Sequence, residues 1–254
     1  MKRTTKTIRQ MKGSDQIVCI TAYDAVTARL ADAADTDVIL IGDSVGNVVL
    51  GFESTVPVTA DMMAHHTAAV ARARPNALVA TDIPFGVAHG DFSDLLKICM
   101  RLMQKCGAEA VKIEGGAEMA PTVARLTAAG VPVWAHIGLQ AQNVFQEGGY
   151  RKYGKTPEER ASLLAAAKAH EKAGAFALLL EMMPSDLAAE ITRAVSIPTI
   201  GIGAGKDCDG QILVMHDVLG LTPRRPSFAK LYCDAGAQIV SALRAYRDDV
   251  KKRN

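Results

Sequence analysis

Six residues have the types and spacing to do chemistry together: Asp43, Asp82, Lys112, Glu114, His136 and Glu181. Each stands at or near the end of a short apolar run. In "DVILIGDSVG" (37–46), four apolar residues without alternation stop at Gly42-Asp43-Ser44, and "ALVATD" and "AVKIE" end the same way. A lone acid after a strand is ordinarily a helix cap or a turn former. The repeat on three successive runs favours another reading. In a parallel barrel all strand C-termini share one face, so Asp43, Asp82 and Glu114 would converge. Three carboxylates so close repel unless a cation holds them. Oxygen donors without Cys or clustered His select Mg²⁺ or a similar hard ion.

Lys112 lies two residues before Glu114, so both side chains share one face of the strand. A lysine aimed inward must pair with those acids or with an anionic substrate. Ser44 either caps the following turn or contacts the ligand. His136, after "VPVWA", is a satisfied core histidine or a pocket residue. Glu181 closes the most apolar run, "ALLLE", where a carboxylate suits a general base near neutral pH, and no partner for it is identifiable. His65 and His66 are adjacent on a helix, about 100° apart, and read as structural rather than as a two-His metal face. "GIGAG" (201–205) lacks the G-x-G-x-x-G spacing and reads as a close approach of backbone to a ligand.

The elements that must carry these residues alternate. Apolar runs occur at 17–24, 37–43, 77–82, 109–114, 131–138, 175–181, 197–203 and 212–217, and most lack period-2 alternation, as strands buried on both faces do. Their last polar residues include Asp24 and His216 as well as five of the six above, Lys112 lying inside its run. Helical patterns lie between them, at 59–74 with Thr59 as N-cap, at 91–107, and at 156–174 with Pro157 in the first turn. Eight strands with intervening helices predict an α/β fold, a (β/α)8 TIM barrel. The eighth run follows the seventh too closely for a helix between them, and a doubly wound open sheet is the alternative. No linker divides the chain, which reads as a single domain over residues 1–254 with basic N-terminal and C-terminal extensions, "MKRTTKTIRQMKG" and "KKRN", both read as solvated.

The 254 residues carry a formal net charge of +2 with 22% charged and 49% hydrophobic residues. That balance gives no footprint for nucleic acid. Neither a signal peptide's apolar core nor a membrane-length run is present. Five cysteines without a C-x-x-C pair do not form a zinc or disulfide framework. A cytoplasmic enzyme of small molecules is the expectation.

The segments "GDSVGN", "STVPVT", "TDIPFG", "AVKIEGG", "HIGL", "GGYRKYGKT", "LLLEMMP", "IPTIGIGAG" and "CDGQILVMHDVLG" are together similar to the ketopantoate hydroxymethyltransferase family, of the phosphoenolpyruvate mutase and isocitrate lyase superfamily. The matches run in order from about residue 4 to residue 233. The resemblance implies a barrel assembled as a homodecamer that transfers a hydroxymethyl unit from 5,10-methylenetetrahydrofolate to 3-methyl-2-oxobutanoate (α-ketoisovalerate). The product would be ketopantoate, early in the route to pantothenate and coenzyme A. It also implies Asp43 and Asp82 as Mg²⁺ ligands, with Glu114 completing that site. Asp43, Ser44, Asp82 and Lys112 would contact the ketoacid, Glu181 would accept the proton, and His136 would line the pocket.

The chain departs from the family pattern at Asn47, at Gln140-Ala141 and at Ala88-His89. The last two fall in loops over the barrel mouth and bear on folate binding. A related metal-dependent C–C lyase would carry a "KKCGH"-like motif, which is absent here. A non-catalytic ketoacid-binding subunit would not need Glu181.

Overall fold

The computed structural model describes residues 1–223 and 225–252. Eight strands, β1 (Ile17–Thr21), β2 (Val38–Ile41), β3 (Leu78–Asp82), β4 (Ala110–Glu114), β5 (Val133–Gly138), β6 (Ala177–Glu181), β7 (Thr199–Ile202) and β8 (Gly210–Leu213), form a closed barrel in sequence order. Neighbours from β1 to β8 pair in parallel. The seam is closed by the Ile17 amide, which donates to the Asp209 carbonyl at 2.9 Å. The predicted (β/α)8 TIM barrel is therefore the fold. Every residue of β2, β3, β4 and β5 is buried, which is why these strands read as unbroken apolar runs.

The interior is layered. Ile17, Val38, Leu78, Ala110, Trp134 and Ala177 pack with Cys19, Leu40, Ala80, Leu179, Ile200 and Ile212 in one core, and Ile8 from the helix Thr5–Gln10 joins them. The next inward positions, two residues further along, are Asp82 on β3, Glu114 on β4 beyond Lys112, His136 on β5 and Glu181 on β6. The polar residues thus form the last layer of a barrel whose lower layers are apolar.

The predicted helices form at Ala60–Ala71, where Thr59 caps the Met62 amide, at Phe92–Met100, which widens into a π-type segment over Arg101–Lys105, and at Pro157–Lys172. Asp24 caps the helix Ala25–Ala33 by accepting from the amides of Val26 and Thr27, so this strand-end acid has a structural role.

Two expectations need correction. The run at 212–217 is not the eighth strand: β8 starts at Gly210, and Met215–Val218 is already helical, so His216 does not stand at a strand end. Pairing with β7, Ile200 to Gly210 and Gly201 to Gln211, extends the strand back over two residues outside the apolar run, of which only Ile212 and Leu213 belong to β8. Nor is the basic N-terminal segment simply solvated. Lys2, Arg3 and Lys12 pair with Glu109, Asp37 and Asp209 at 2.7, 2.8 and 2.8 Å. Those three acids precede β4, β2 and β8, so the segment is fastened across the strand-start end of the barrel. Of the basic C-terminal tail, Arg253 and Asn254 lie outside the described residues.

The chain groups into two compact units, Met1–Ile212 and Leu213–Asn254. Within the second, the amides of Tyr232 and Ala235 donate to the carbonyls of Val218 and Leu219, and Asp234 caps the helix Ala235–Lys251.

Candidate active site

Strand register places the polar layer. Asp82 is level with Lys112, Glu114 with His136, and Gly138 with Glu181. Lys112 is buried, at 4% exposure, with its Nζ 2.7 Å from Asp82 Oδ1 and 3.6 Å from Glu114 Oε1. Of the two partners open to an inward lysine, the acids or an anionic substrate, the structure shows the carboxylates. Asp43, just beyond β2, is joined to Asp82 through its own amide, which donates to Asp82 Oδ2 at 2.9 Å. His136 lies between two acids, with Nδ1 3.3 Å from Glu114 Oε1 and Nε2 3.2 Å from Glu181 Oε2. Glu181, without an identifiable partner in the sequence, thus has His136.

Ser44 does not cap the helix Val45–Val48; its hydroxyl lies 2.8 Å from the Tyr23 hydroxyl. His66 Nδ1 meets the Tyr23 carbonyl at 2.7 Å, a structural contact as expected. Beyond Glu181, Met182 adopts φ +50°, an uncommon conformation for a side-chain-bearing residue, and its amide is held by the Ile202 carbonyl at 2.9 Å.

One residue of the cluster gave no signal in the sequence. Gln142, in the turn after β5, donates its side-chain amide to Asp43 Oδ2 and to the Ile83 carbonyl, both at 2.9 Å. Its backbone amide donates to Glu114 Oε2 at 3.2 Å. A loop glutamine has no periodicity to mark it. Asn47 and His89, two of the departures from the family pattern, are exposed, and Asn47 bonds the Phe52 carbonyl.

The charges of this layer do not balance on their own. Burial first, then the carboxylates of Asp82 and Glu114, hold the Asp43 carboxyl well above the usual range. Burial also opposes ionisation of Glu114, but Lys112 and His136 overcome it and bring its pKa to about 2. For His136, burial disfavours the charged ring and Glu114 outweighs that, raising the pKa to about 9. Lys112 is likewise kept charged by Asp82, Glu114 and Asp43 against its burial. Four carboxylates therefore face at most two cationic side chains, and a hard dication is the species that would balance them. Among the described residues no group of three or more His, Cys, Asp and Glu side chains encloses an ion by itself. A cation here would rest on one or two carboxylates and complete its shell with water and substrate oxygens, the usual habit of Mg²⁺. A groove of about 460 Å³ is lined by Thr5, Arg9, Gly130 and Phe176 and includes none of the site residues.

Residues 2–254 match the protein family described as Ketopantoate hydroxymethyltransferase. The chain belongs to the ketopantoate hydroxymethyltransferase family. It is 53% identical over 255 residues to the 3-methyl-2-oxobutanoate hydroxymethyltransferase of Caldivirga maquilingensis, covering 99% of this chain and 96% of that one. It is 51% identical to the protein of the same name from Shouchella clausii, covering 99% and 91%. Among solved structures, a phosphoenolpyruvate phosphomutase from Streptomyces platensis subsp. rosaceus superposes with a TM-score of 0.66 at 17% identity, over 99% of this chain and 89% of that one. A phosphonopyruvate hydrolase in complex with oxalate and Mg²⁺ gives 0.64 at 15% identity, over 99% and 88%. At such identities these two share the fold with the family.

Proposed function

We propose that the protein transfers a hydroxymethyl group from 5,10-methylenetetrahydrofolate to 3-methyl-2-oxobutanoate, giving ketopantoate for pantothenate and coenzyme A synthesis in the cytoplasm. Atoms balance when water enters with the two substrates and tetrahydrofolate leaves with the product. The observation that carries this reading is Glu181 at the barrel mouth, linked through His136 to a buried cluster of acids around Lys112. Relatives at about half identity, matched over 96% and 91% of their length, bear the corresponding name.

The hydrogen on C3 of the ketoacid is acidic only if negative charge on the neighbouring carbonyl oxygen is stabilised. A divalent cation held by Asp43 and Asp82, with Glu114 nearby, would supply that electrostatic stabilisation. Asp43, Ser44, Asp82 and Lys112 bind and orient the ketoacid, and the buried ammonium of Lys112 offers a fixed positive charge to its carboxylate. Glu181 takes the C3 proton on a carboxylate oxygen. His136, shared with Glu114, fixes that carboxylate and lines the pocket. The carbon pair released at C3 forms the new C–C bond to the methylene carbon of the folate, whose two C–N bonds break. Water's OH stays on that carbon, and the C3 proton and the remaining water proton go to N5 and N10 of the departing tetrahydrofolate.

A homo-oligomer, a decamer by resemblance, is part of the same reading. Ile239, Leu243, Tyr246 and Val250 follow one another at helical spacing on Ala235–Lys251, and all are exposed, as an assembly contact would require. No helix among the described residues is long and apolar enough to cross a membrane.

The deciding assay is ketopantoate formation by the purified chain with Mg²⁺, the ketoacid and the methylene folate. Product that depends on all three supports the reading. A folded chain that forms none overturns it.

A further inference from the structure

We propose that Gln142 is a positioning residue that ties the loop after β5 to the cation-binding carboxylates and sets the Asp43 side chain for its ligand role. This rests on the reading of Asp43 and Asp82 as cation ligands given above. Both hydrogens of the Gln142 amide are committed, one to Asp43 Oδ2 and one to the Ile83 carbonyl, each at 2.9 Å. With two acceptors facing it, that position must be the nitrogen, so the amide cannot flip. Among the described residues this is the only hydrogen bond to the Asp43 carboxyl group, and it engages Oδ2 while leaving Oδ1 unclaimed.

The backbone amide of the same residue donates to Glu114 Oε2 at 3.2 Å. A single loop residue therefore touches the acid beyond β2, the chain after β3 and the acid ending β4. The turn that presents it is braced by Asn143, whose side-chain amide donates to Gln140 Oε1 at 2.7 Å. Gln140 is one of the positions where this chain departs from its family pattern, and its role here is to hold the turn. A donor that fixes a ligand's free oxygen tunes metal affinity without touching the metal, and its loss costs about 10–100-fold in affinity or activity.

The test uses the full chain with Gln142→Met, which keeps the bulk and removes the donor, and Gln142→Ala, a truncation that remains readable if the first misfolds. Mn²⁺ alone is titrated by electron paramagnetic resonance, and backbone hydrogen exchange of residues 139–143 is followed without metal. We expect the Mn²⁺ dissociation constant to rise about 10–100-fold and loop exchange to accelerate at least about tenfold. At saturating Mn²⁺ the KM for the ketoacid should rise more than kcat falls. A general packing defect would instead lower the melting temperature and leave Mn²⁺ affinity alone. Variants that bind Mn²⁺ within twofold of the parent and protect the loop equally overturn the role of Gln142 alone. A parent chain that binds no Mn²⁺ overturns the ligand assignment beneath it.

Discussion

His136 Nε2 lies 3.2 Å from Glu181 Oε2, and the opposite nitrogen of the same ring faces Glu114. The contact joins a partly buried carboxylate to a buried acid cluster and holds it in one orientation. Glu181→Gln should therefore leave cation-dependent ketoacid binding within a few-fold and slow C3 deuterium exchange by about 10²–10⁴-fold, the usual worth of a general base. His136→Asn should slow exchange by about tenfold through misplacement of Glu181. Both are read by proton NMR in D₂O without folate. Exchange at the parent rate in Glu181→Gln would eliminate it as the base.

Lys112 is the buried partner of Asp82 and Glu114. Lys112→Met leaves those charges uncompensated, and removing one partner of a buried pair costs about 3–5 kcal/mol. At about 2–4 °C per kcal/mol for a chain of this size, the melting temperature should drop by roughly 6–20 °C. Mg²⁺ should recover part of that loss. Thermal melting with and without Mg²⁺ checks both, and an unchanged melting temperature would show that Lys112 carries none of the balance.

Gly138, at the end of β5, has φ +103°, and an added methyl would meet the Glu181 carbonyl oxygen. Gly138→Ala should destabilise the chain by at least about 1–3 kcal/mol through backbone strain. It should also slow C3 exchange, because the clash pushes directly on β6 beside Glu181. A variant with parental melting and exchange would mean that the strand ends yield without cost.

His170 is fully buried, and its Nε2 lies 3.0 Å from the Gly115 carbonyl, next to Glu114. The neutral ring donates there, while Nδ1 is buried with no hydrogen-bond partner among the described residues. Burial lowers its pKa below 6.5, outweighing the carbonyl contacts. The folded state then binds fewer protons than the unfolded state below about pH 6.5, so this contribution is complete above that pH. It is lost progressively as pH falls toward the folded pKa. His170→Leu should flatten the pH dependence of the urea midpoint below about pH 6.5, and an identical slope would exclude His170 as its source.

The strand ends were legible because a strand buried on both faces leaves an apolar run that stops abruptly, as at Val38–Ile41 before Asp43 and at Ala177–Leu180 before Glu181. β8 was not legible, because its bounds follow from pairing with β7 and not from the apolar content of residues 212–217. The N-terminal cations looked solvated because their partners lie from 34 to 197 residues away in the chain, at Asp37, Glu109 and Asp209.

The sequence by itself determined the alternation of buried strands and helices, the identity of the acids at the strand ends and the need of Lys112 for a negative partner, since each follows from local periodicity or from the cost of burying a charge. Only the tertiary structure decided that His136 joins Glu114 to Glu181, that Ser44 turns to Tyr23, and that Gln142 grips Asp43. Those contacts join strands and loops far apart in the chain. Their distances depend on strand register and barrel closure, and no local pattern of residues encodes either one.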